Sequence, residues 1–113
     1  MGAARAAWAW WLAPAVGAVL LLLVSTARGE DSALVAAGQR LYTEQGCHGC
    51  HTMGKAGTPI APDLSKIGAK YREADLRRWL LDPQQQKPRA HMPRIQMSEA
   101  EARALAAYLS TLR

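Results

Sequence analysis

The sequence predicts an all-α fold, with one small domain following an apolar N-terminal segment. Near the C-terminus, apolar residues recur at the i, i+3, i+4 and i+7 positions of a helix: Leu105, Tyr108, Leu109 and Leu112. No segment shows the alternating pattern of a half-buried strand. A chain of 113 residues suffices for one domain but buries little core. A domain of this size usually needs additional stabilisation, such as a disulfide, a metal or a bound cofactor.

The N-terminal segment, residues 1–29, has the composition of a signal peptide or an N-terminal membrane anchor. Its basic start is followed by an uncharged stretch over residues 6–27. Small residues precede two candidate cleavage positions, before Arg28 and before Glu30. The same stretch is long enough to cross a bilayer as an uncleaved helix. Both alternatives place a domain of residues 30–113 in the periplasm or on the outer face of the cytoplasmic membrane.

The first helix of the domain is predicted to begin at an N-cap, Asp31 or Ser32, and to run toward Gln45. Its apolar stripe consists of Leu34, Ala37, Leu41 and Tyr42. Gly46 is expected to end it. Residues 52–70 are rich in Gly, Pro and Lys and predict an irregular loop with at most a short helical turn.

Two further helices are predicted in the C-terminal half. A middle helix spans residues 73–81, and Asp82-Pro83 ends it. Residues 84–93 predict a loop because prolines interrupt them. The last helix begins with a capping box formed by Ser98 and Glu101.

The run Cys47-His48-Gly49-Cys50-His51 is a C-x-x-C-H motif, the attachment signature of c-type haem. Two thiols three residues apart lie on the same side of a helical turn, so each can add to one haem vinyl group. The imidazole of His51 follows at once, where it can serve as the proximal iron ligand. The sequence has two cysteines, and both lie in this motif. One covalent haem would therefore consume both thiols, which fits an extracytoplasmic compartment.

Other uses of the two cysteines are less favoured. A zinc site needs two more ligands, and the available histidines are His48, His51 and His91. The first two lie too close to the cysteines for an ordinary zinc knuckle. A thioredoxin-like dithiol belongs near a βαβ pattern, which this sequence lacks. A structural disulfide without a cofactor is the remaining alternative.

Residues 31–112 resemble a class I cytochrome c, and the haem motif is not the sole basis for the resemblance. Gly38 and Tyr42 match the glycine and aromatic residue that the family places where its first and last helices cross. Leu105 and Tyr108 match the corresponding pair on the last helix. The resemblance implies three to five helices wrapped around one covalent haem, with the N-terminal and C-terminal helices crossing.

The resemblance also implies a partner for the proximal histidine. The segment Ala61-Pro62-Asp63-Leu64 resembles the family's Gly-Pro-x-Leu, although Ala61 stands in place of glycine. In the family, this proline carbonyl accepts a hydrogen bond from the second histidine nitrogen, which pairs Pro62 with His51 here. Such a bond fixes the tautomer of the imidazole and strengthens it as a donor to iron. Pro59 is the alternative partner.

The segment His91-Met92-Pro93 resembles the family's distal Met-Pro segment and implies Met92 as the sixth iron ligand. A thioether ligand favours Fe(II) and raises the reduction potential. His91 and Met97 remain alternative ligands, whereas Met53 is too near His51 to reach the opposite haem face. Met97 is interpreted as an ordinary core residue.

Three side chains are candidates for hydrogen bonds to the haem propionates: Tyr71, Trp79 and Arg89. Trp79 is expected chiefly to pack its ring along the haem.

The formal net charge of +5 suggests the chemistry of a partner. Removal of residues 1–29 takes away Arg5 and Arg28 and leaves +3. Basic residues flank the segments expected around the haem: Lys55, Lys66, Lys70, Lys87, Arg89 and Arg94. A basic rim would steer an acidic redox partner, and an ordinary solvated surface is the equal alternative. No motif indicates nucleic-acid binding.

These observations predict a single-electron carrier rather than an enzyme, because His51 and Met92 would fill both axial positions and leave no open site. One alternative is a membrane-anchored cytochrome c subunit of a respiratory oxidase or reductase. It is favoured by residues 75–93, which resemble cytochrome domains attached to haem-copper oxidases and nitric oxide reductases. An alternative from another class is a haem-based sensor or peroxidase with a labile sixth ligand, which would lack the far-red absorption band of a Met–Fe(III) bond.

Overall fold

The computed structural model describes residues 13–113 and divides into two compact units between Ser32 and Ala33. In chain order the elements are α1 (Ala13–Glu44), a 3-10 turn (Cys47–Gly49), β1 (Thr52–Met53), β2 (Ala56–Gly57), α2 (Ile67–Lys70), α3 (Glu73–Leu81), α4 (Pro83–Gln86) and α5 (Glu99–Ser110). The predicted all-α class is confirmed, since the strand content is a single two-residue antiparallel pair within this described range.

Helix α1 already includes the residues from Ala13 onward, so the prediction of a helix start at Asp31 or Ser32 is wrong. The hydroxyl of Ser32 donates to the carbonyl oxygen of Gly29 at 3.1 Å, a bond inside the helix rather than an N-terminal cap. The predicted end is correct, because Gly46 follows the last turn with a φ of 71°, in the left-handed region.

The predicted signal peptide or anchor, residues 1–29, lies partly outside the described residues. From residue 13 onward, no helix combines the length and apolar character needed to cross a membrane. The proposed membrane stretch over residues 6–27 begins outside this range and stays a prediction.

The core of the second unit lies between α1, α3 and α5. Its buried cluster consists of Tyr42, Leu76, Leu80, Ala102, Leu105, Ala106 and Leu109. A Cβ added to Gly38 would overlap the carbonyl group of Ala104 and would lie 2.7 Å from the Cβ of Tyr108. The predicted crossing of α1 and α5 at Gly38 is therefore confirmed, and it depends on the absence of a side chain there.

The C-terminal helices follow the sequence signals closely, with one addition. Helix α3 has the predicted bounds, and α5 carries the predicted capping box, in which Ser98 and Glu101 exchange bonds of 3.2 and 2.7 Å. Helix α4 lies at the start of the segment predicted as a loop. Asp82 caps it by accepting a hydrogen bond from the Gln85 amide at 3.1 Å, and Pro83 occupies its first turn. The Asp-Pro pair thus ends one helix and starts the next.

The segment after the haem motif is more ordered than the predicted loop. Strands β1 and β2 pair Thr52 with Gly57, and a Cβ on Gly57, whose φ is 96°, would overlap the carbonyl oxygen of His51. The hairpin therefore turns back onto the motif. Helix α2 is the predicted helical turn, and its Gly68 amide donates to the carbonyl oxygen of Leu112 at 2.8 Å.

Candidate functional site

The two cysteines lie on the tight turn that follows α1. The amide of Gly49 donates to the Gly46 carbonyl at 2.9 Å, and the amide of His51 donates to the Cys47 carbonyl at 3.0 Å. The two cysteines form no disulfide with each other, and Cys47 is half-buried while Cys50 is exposed. Burial raises the pKa of the Cys47 thiol above its ordinary value.

The imidazole of His51 is held by the segment that the sequence assigned to it. Its Nδ1 lies 2.7 Å from the carbonyl oxygen of Pro62, and the structure shows this bond to Pro62 rather than to Pro59. Because a carbonyl can only accept, Nδ1 carries the proton. The other nitrogen, Nε2, is then left with its lone pair for a metal ion.

A hydrogen-bonded turn fixes the position of Pro62. The amide and hydroxyl of Ser65 both donate to Asp63 Oδ1, at 3.0 and 2.7 Å. The amide of Gly54 donates to Ser65 Oγ at 2.7 Å, which ties the turn to the hairpin beside His51. The hydrogen bonds from Ser65 hold the pKa of the Asp63 carboxyl below its usual value. Neither Asp63 nor Ser65 is among the site residues predicted from the sequence, although an Asp side chain often accepts a hydrogen bond from the backbone amide two residues further on.

Met92 is held through both its sulfur and its main chain. The indole Nε1–H of Trp79 donates to Met92 Sδ at 3.1 Å, and Gln84 Nε2–H donates to the Met92 carbonyl oxygen at 2.8 Å. Both Trp79 and Met92 are half-buried. The structure thus directs the Trp79 donor at the thioether, whereas the sequence prediction considered a haem propionate. The packing of its ring along a haem stays a prediction.

The other candidate ligands lie in different surroundings. His91 is exposed, and Met97 is half-buried against the core cluster. Met53 lies beside the helix crossing, where its Sδ accepts a bond from the Tyr108 hydroxyl at 3.4 Å. Tyr71 is 56% exposed and Arg89 is also exposed.

The residues present fit a covalent haem. They supply two free thiols, an imidazole with Nε2 available, and a thioether on a separate segment. Several half-buried apolar side chains pack against the core cluster while part of their surface stays exposed to solvent: Met53, Leu64, Ile67, Leu81, Met92 and Met97. A chain of 113 residues buries only a small core by itself. An apolar macrocycle would cover these side chains and enlarge that core.

Tyr42 connects the haem motif to the helix crossing. Its ring meets the ring of His48 edge-on with centroids 4.7 Å apart, and it meets the ring of Tyr108 at 5.9 Å. The Tyr42 hydroxyl and His48 Nδ1 are buried without a hydrogen-bond partner among the described residues. Burial raises the pKa of Tyr42 to about 12. From the sequence, His48 was a candidate zinc ligand only, and its packing against Tyr42 was not predicted.

The basic residues named above are all exposed. The Arg94 guanidinium also lies 3.9 Å from the Asp82 carboxylate. This ion pair is exposed to solvent and therefore contributes little to holding the segment that carries Met92. The positive charges are therefore available to solvent or to a partner.

Comparison with known proteins agrees with this geometry. The family model for cytochrome c matches residues 35–113. Cytochrome c oxidase subunit 2 of Alkalihalophilus pseudofirmus is 36% identical over 85 residues, which cover 67% of this chain and 25% of that protein. The chain thus spans about a quarter of the length of that relative. The matched region contains the C-x-x-C-H turn, the Pro62 segment and Met92, and the chain belongs to the cytochrome c family of electron-transfer proteins with covalently bound haem c.

Proposed function

We propose that this chain carries single electrons between respiratory redox proteins, with one haem that Cys47 and Cys50 would attach covalently and whose iron His51 and Met92 would bind. The observation that carries the proposal is the 2.7 Å contact between His51 Nδ1 and the Pro62 carbonyl, next to the two cysteines of the C-x-x-C-H turn. When bound, the haem iron supplies a one-electron couple between Fe(II) and Fe(III).

The residues around the iron have distinct tasks in this proposal. The Pro62 carbonyl keeps the His51 ring in one tautomer and makes it a stronger donor. The thioether of Met92 favours Fe(II) and raises the potential. With His51 and Met92 both bound to the iron, no position would be left for a substrate, and the role we propose is that of a carrier rather than an enzyme.

The partners are expected to be other redox proteins. An exposed set of lysines and arginines favours a partner with an acidic docking surface. No described feature favours nucleic acid. Because the relative named above is a cytochrome c oxidase subunit 2, a second candidate is a cytochrome c subunit of a respiratory oxidase or reductase.

The proposed location is the periplasm or the outer face of the cytoplasmic membrane. The apolar segment before residue 30 supports export, as either a cleaved signal or a retained anchor. Haem staining of carbonate-washed native membranes separates the two. A soluble haem protein that starts at Arg28 or Glu30 indicates a cleaved signal and a mobile shuttle. A protein that keeps its N-terminus and copurifies with a large integral complex indicates the subunit.

The test of the proposal is covalent attachment together with redox behaviour. The intact mass should correspond to the chain plus one haem, and the haem should remain with the protein in acid acetone and on a denaturing gel. The variants Cys47→Ala and Cys50→Ala should each lose one thioether. The ferric protein should show the far-red Met–Fe(III) band and undergo reversible one-electron reduction. Extractable haem, or a ferric protein without that band that binds peroxide rapidly, would favour the sensor or peroxidase instead.

A further inference from the structure

Gln84 lies on α4 and reaches the segment that carries Met92. Its side-chain Nε2 donates to the carbonyl oxygen of Met92 at 2.8 Å and to that of Ala90 at 3.2 Å. A primary amide has two N–H donors, and both are used here, on two carbonyl groups of one loop.

We propose that Gln84 is a positioning residue that holds the Met92 loop in the conformation that delivers the thioether. This inference rests on the proposed function, in which Met92 is the sixth iron ligand. Gln84 does not touch the iron and acts through the backbone on either side of His91.

The loop depends on side chains because its own backbone provides little support. In the described part of the chain, residues 91–97 form no main-chain to main-chain hydrogen bond. The bonds that flank this segment join the Ala90 amide to the Lys87 carbonyl and the Ala102 amide to the Ser98 carbonyl, both at 2.9 Å. The bond from Trp79 reaches only the sulfur of Met92. Gln84 is therefore the group that fixes the main chain at the ligand position.

Gln84 can perform this task because its own helix is firmly held. Pro83, at the start of α4, is among the fully buried side chains. Asp82 caps the helix, and the Lys87 amide closes it on the Pro83 carbonyl at 2.9 Å. The donor amide is thus attached to an anchored turn rather than to a second mobile loop.

The chain supplies its own control two residues away. Gln86 is exposed on the same helix, and within the described residues its side chain has no hydrogen bond. Gln84→Met and Gln86→Met each remove one side-chain amide from α4. Gln84→Glu and Gln86→Glu each introduce one negative charge there. Differences within each pair isolate the contact with the loop.

The experiment uses the haem-loaded protein and measures how fast imidazole binds the ferric form. This reaction requires Met92 to leave, so its rate reports how well the loop is held. Loss of two exposed amide bonds should speed imidazole binding roughly fivefold to thirtyfold in Gln84→Met. Gln84→Glu should bind it at least as fast, because a carboxylate repels both carbonyls. The Gln86 variants should match the wild type both in imidazole rate and in unfolding temperature.

The possible failures are distinguishable. A wild-type far-red band combined with equal imidazole rates in Gln84→Met and Gln86→Met would overturn this inference and leave the proposed function standing. A wild type without the band would overturn both. A measurement on the wild type alone does not depend on variant folding: the Gln84 side-chain amide protons should exchange with deuterium more slowly than those of Gln86. Equal exchange would also overturn the inference.

Discussion

The substitution Gly38→Ala tests the packing on which the domain depends. The added Cβ would lie 2.7 Å from the Cβ of Tyr108 and would overlap the main-chain carbonyl of Ala104. Carbon atoms in contact prefer about 3.5–4.0 Å, so α1 and α5 must separate by roughly 1 Å. A backbone carbonyl cannot rotate out of the way as a side chain could. The cost should therefore lie at the upper end of overpacking, about 3 kcal/mol.

Part of this cost is offset, because alanine is a better helix residue than glycine by about 1 kcal/mol. The net loss of unfolding free energy should be about 2 kcal/mol. For a domain of this size, that corresponds to a fall of roughly 8–16 °C in the unfolding temperature. Circular dichroism of the ferric haem protein would measure it. As a control, Gln39→Ala at the exposed neighbouring position should change the free energy of unfolding by no more than about 0.5 kcal/mol. An unchanged or higher unfolding temperature in Gly38→Ala would show that the two helices do not meet as described.

Two further substitutions test buried polar groups. Tyr42→Phe removes a hydroxyl that is buried without a partner among the described residues, so chemical denaturation should show equal stability or a gain of up to about 1 kcal/mol. Because the folded pKa of Tyr42 is about 12 and the unfolded value about 10, the wild type should lose stability as pH rises from 10 toward 12, and the variant should lose less. A marked loss of stability at pH 7 in this variant would mean that the hydroxyl has a partner. Trp79→Phe removes the N–H that donates to Met92 Sδ. Without this hydrogen bond, the sulfur should become a stronger electron donor to Fe(III). Voltammetry should then show a potential lower by about 20–60 mV, from a hydrogen bond of about 0.5–1.5 kcal/mol, whereas a higher potential would contradict this role.

The parts of the fold that the sequence predicts correctly have local or strongly constrained signals. The capping box of α5 and the bounds of α3 follow from residues within one or two turns. Gly38 is informative because few positions in a helix favour glycine, and the structure brings the Ala104 carbonyl against it. The pairing of Pro62 with His51 followed from a family resemblance, since nothing in the local pattern requires it.

The missed features depend on distance in space rather than on local pattern. The Trp79 donor finds its acceptor 13 residues away, and periodicity carries no information about such a pair. Gln84 is one of three consecutive glutamines, and the sequence does not indicate which of them contacts the segment that carries Met92. The sequence predicts too late a start for α1 because Asp31 and Ser32 are good caps, yet both lie inside a helix that no proline interrupts between residues 15 and 44.

The most direct measurement of the central claim compares the ferric far-red band and the potential in Met92→Ala and Met97→Ala. Met92→Ala should abolish the band, lower the potential and open the iron to carbon monoxide or cyanide, because the thioether is lost. Met97→Ala should leave the spectrum nearly unchanged, because Met97 packs against the core. Loss of the band in Met97→Ala but not in Met92→Ala would contradict the account and assign the sixth ligand to Met97.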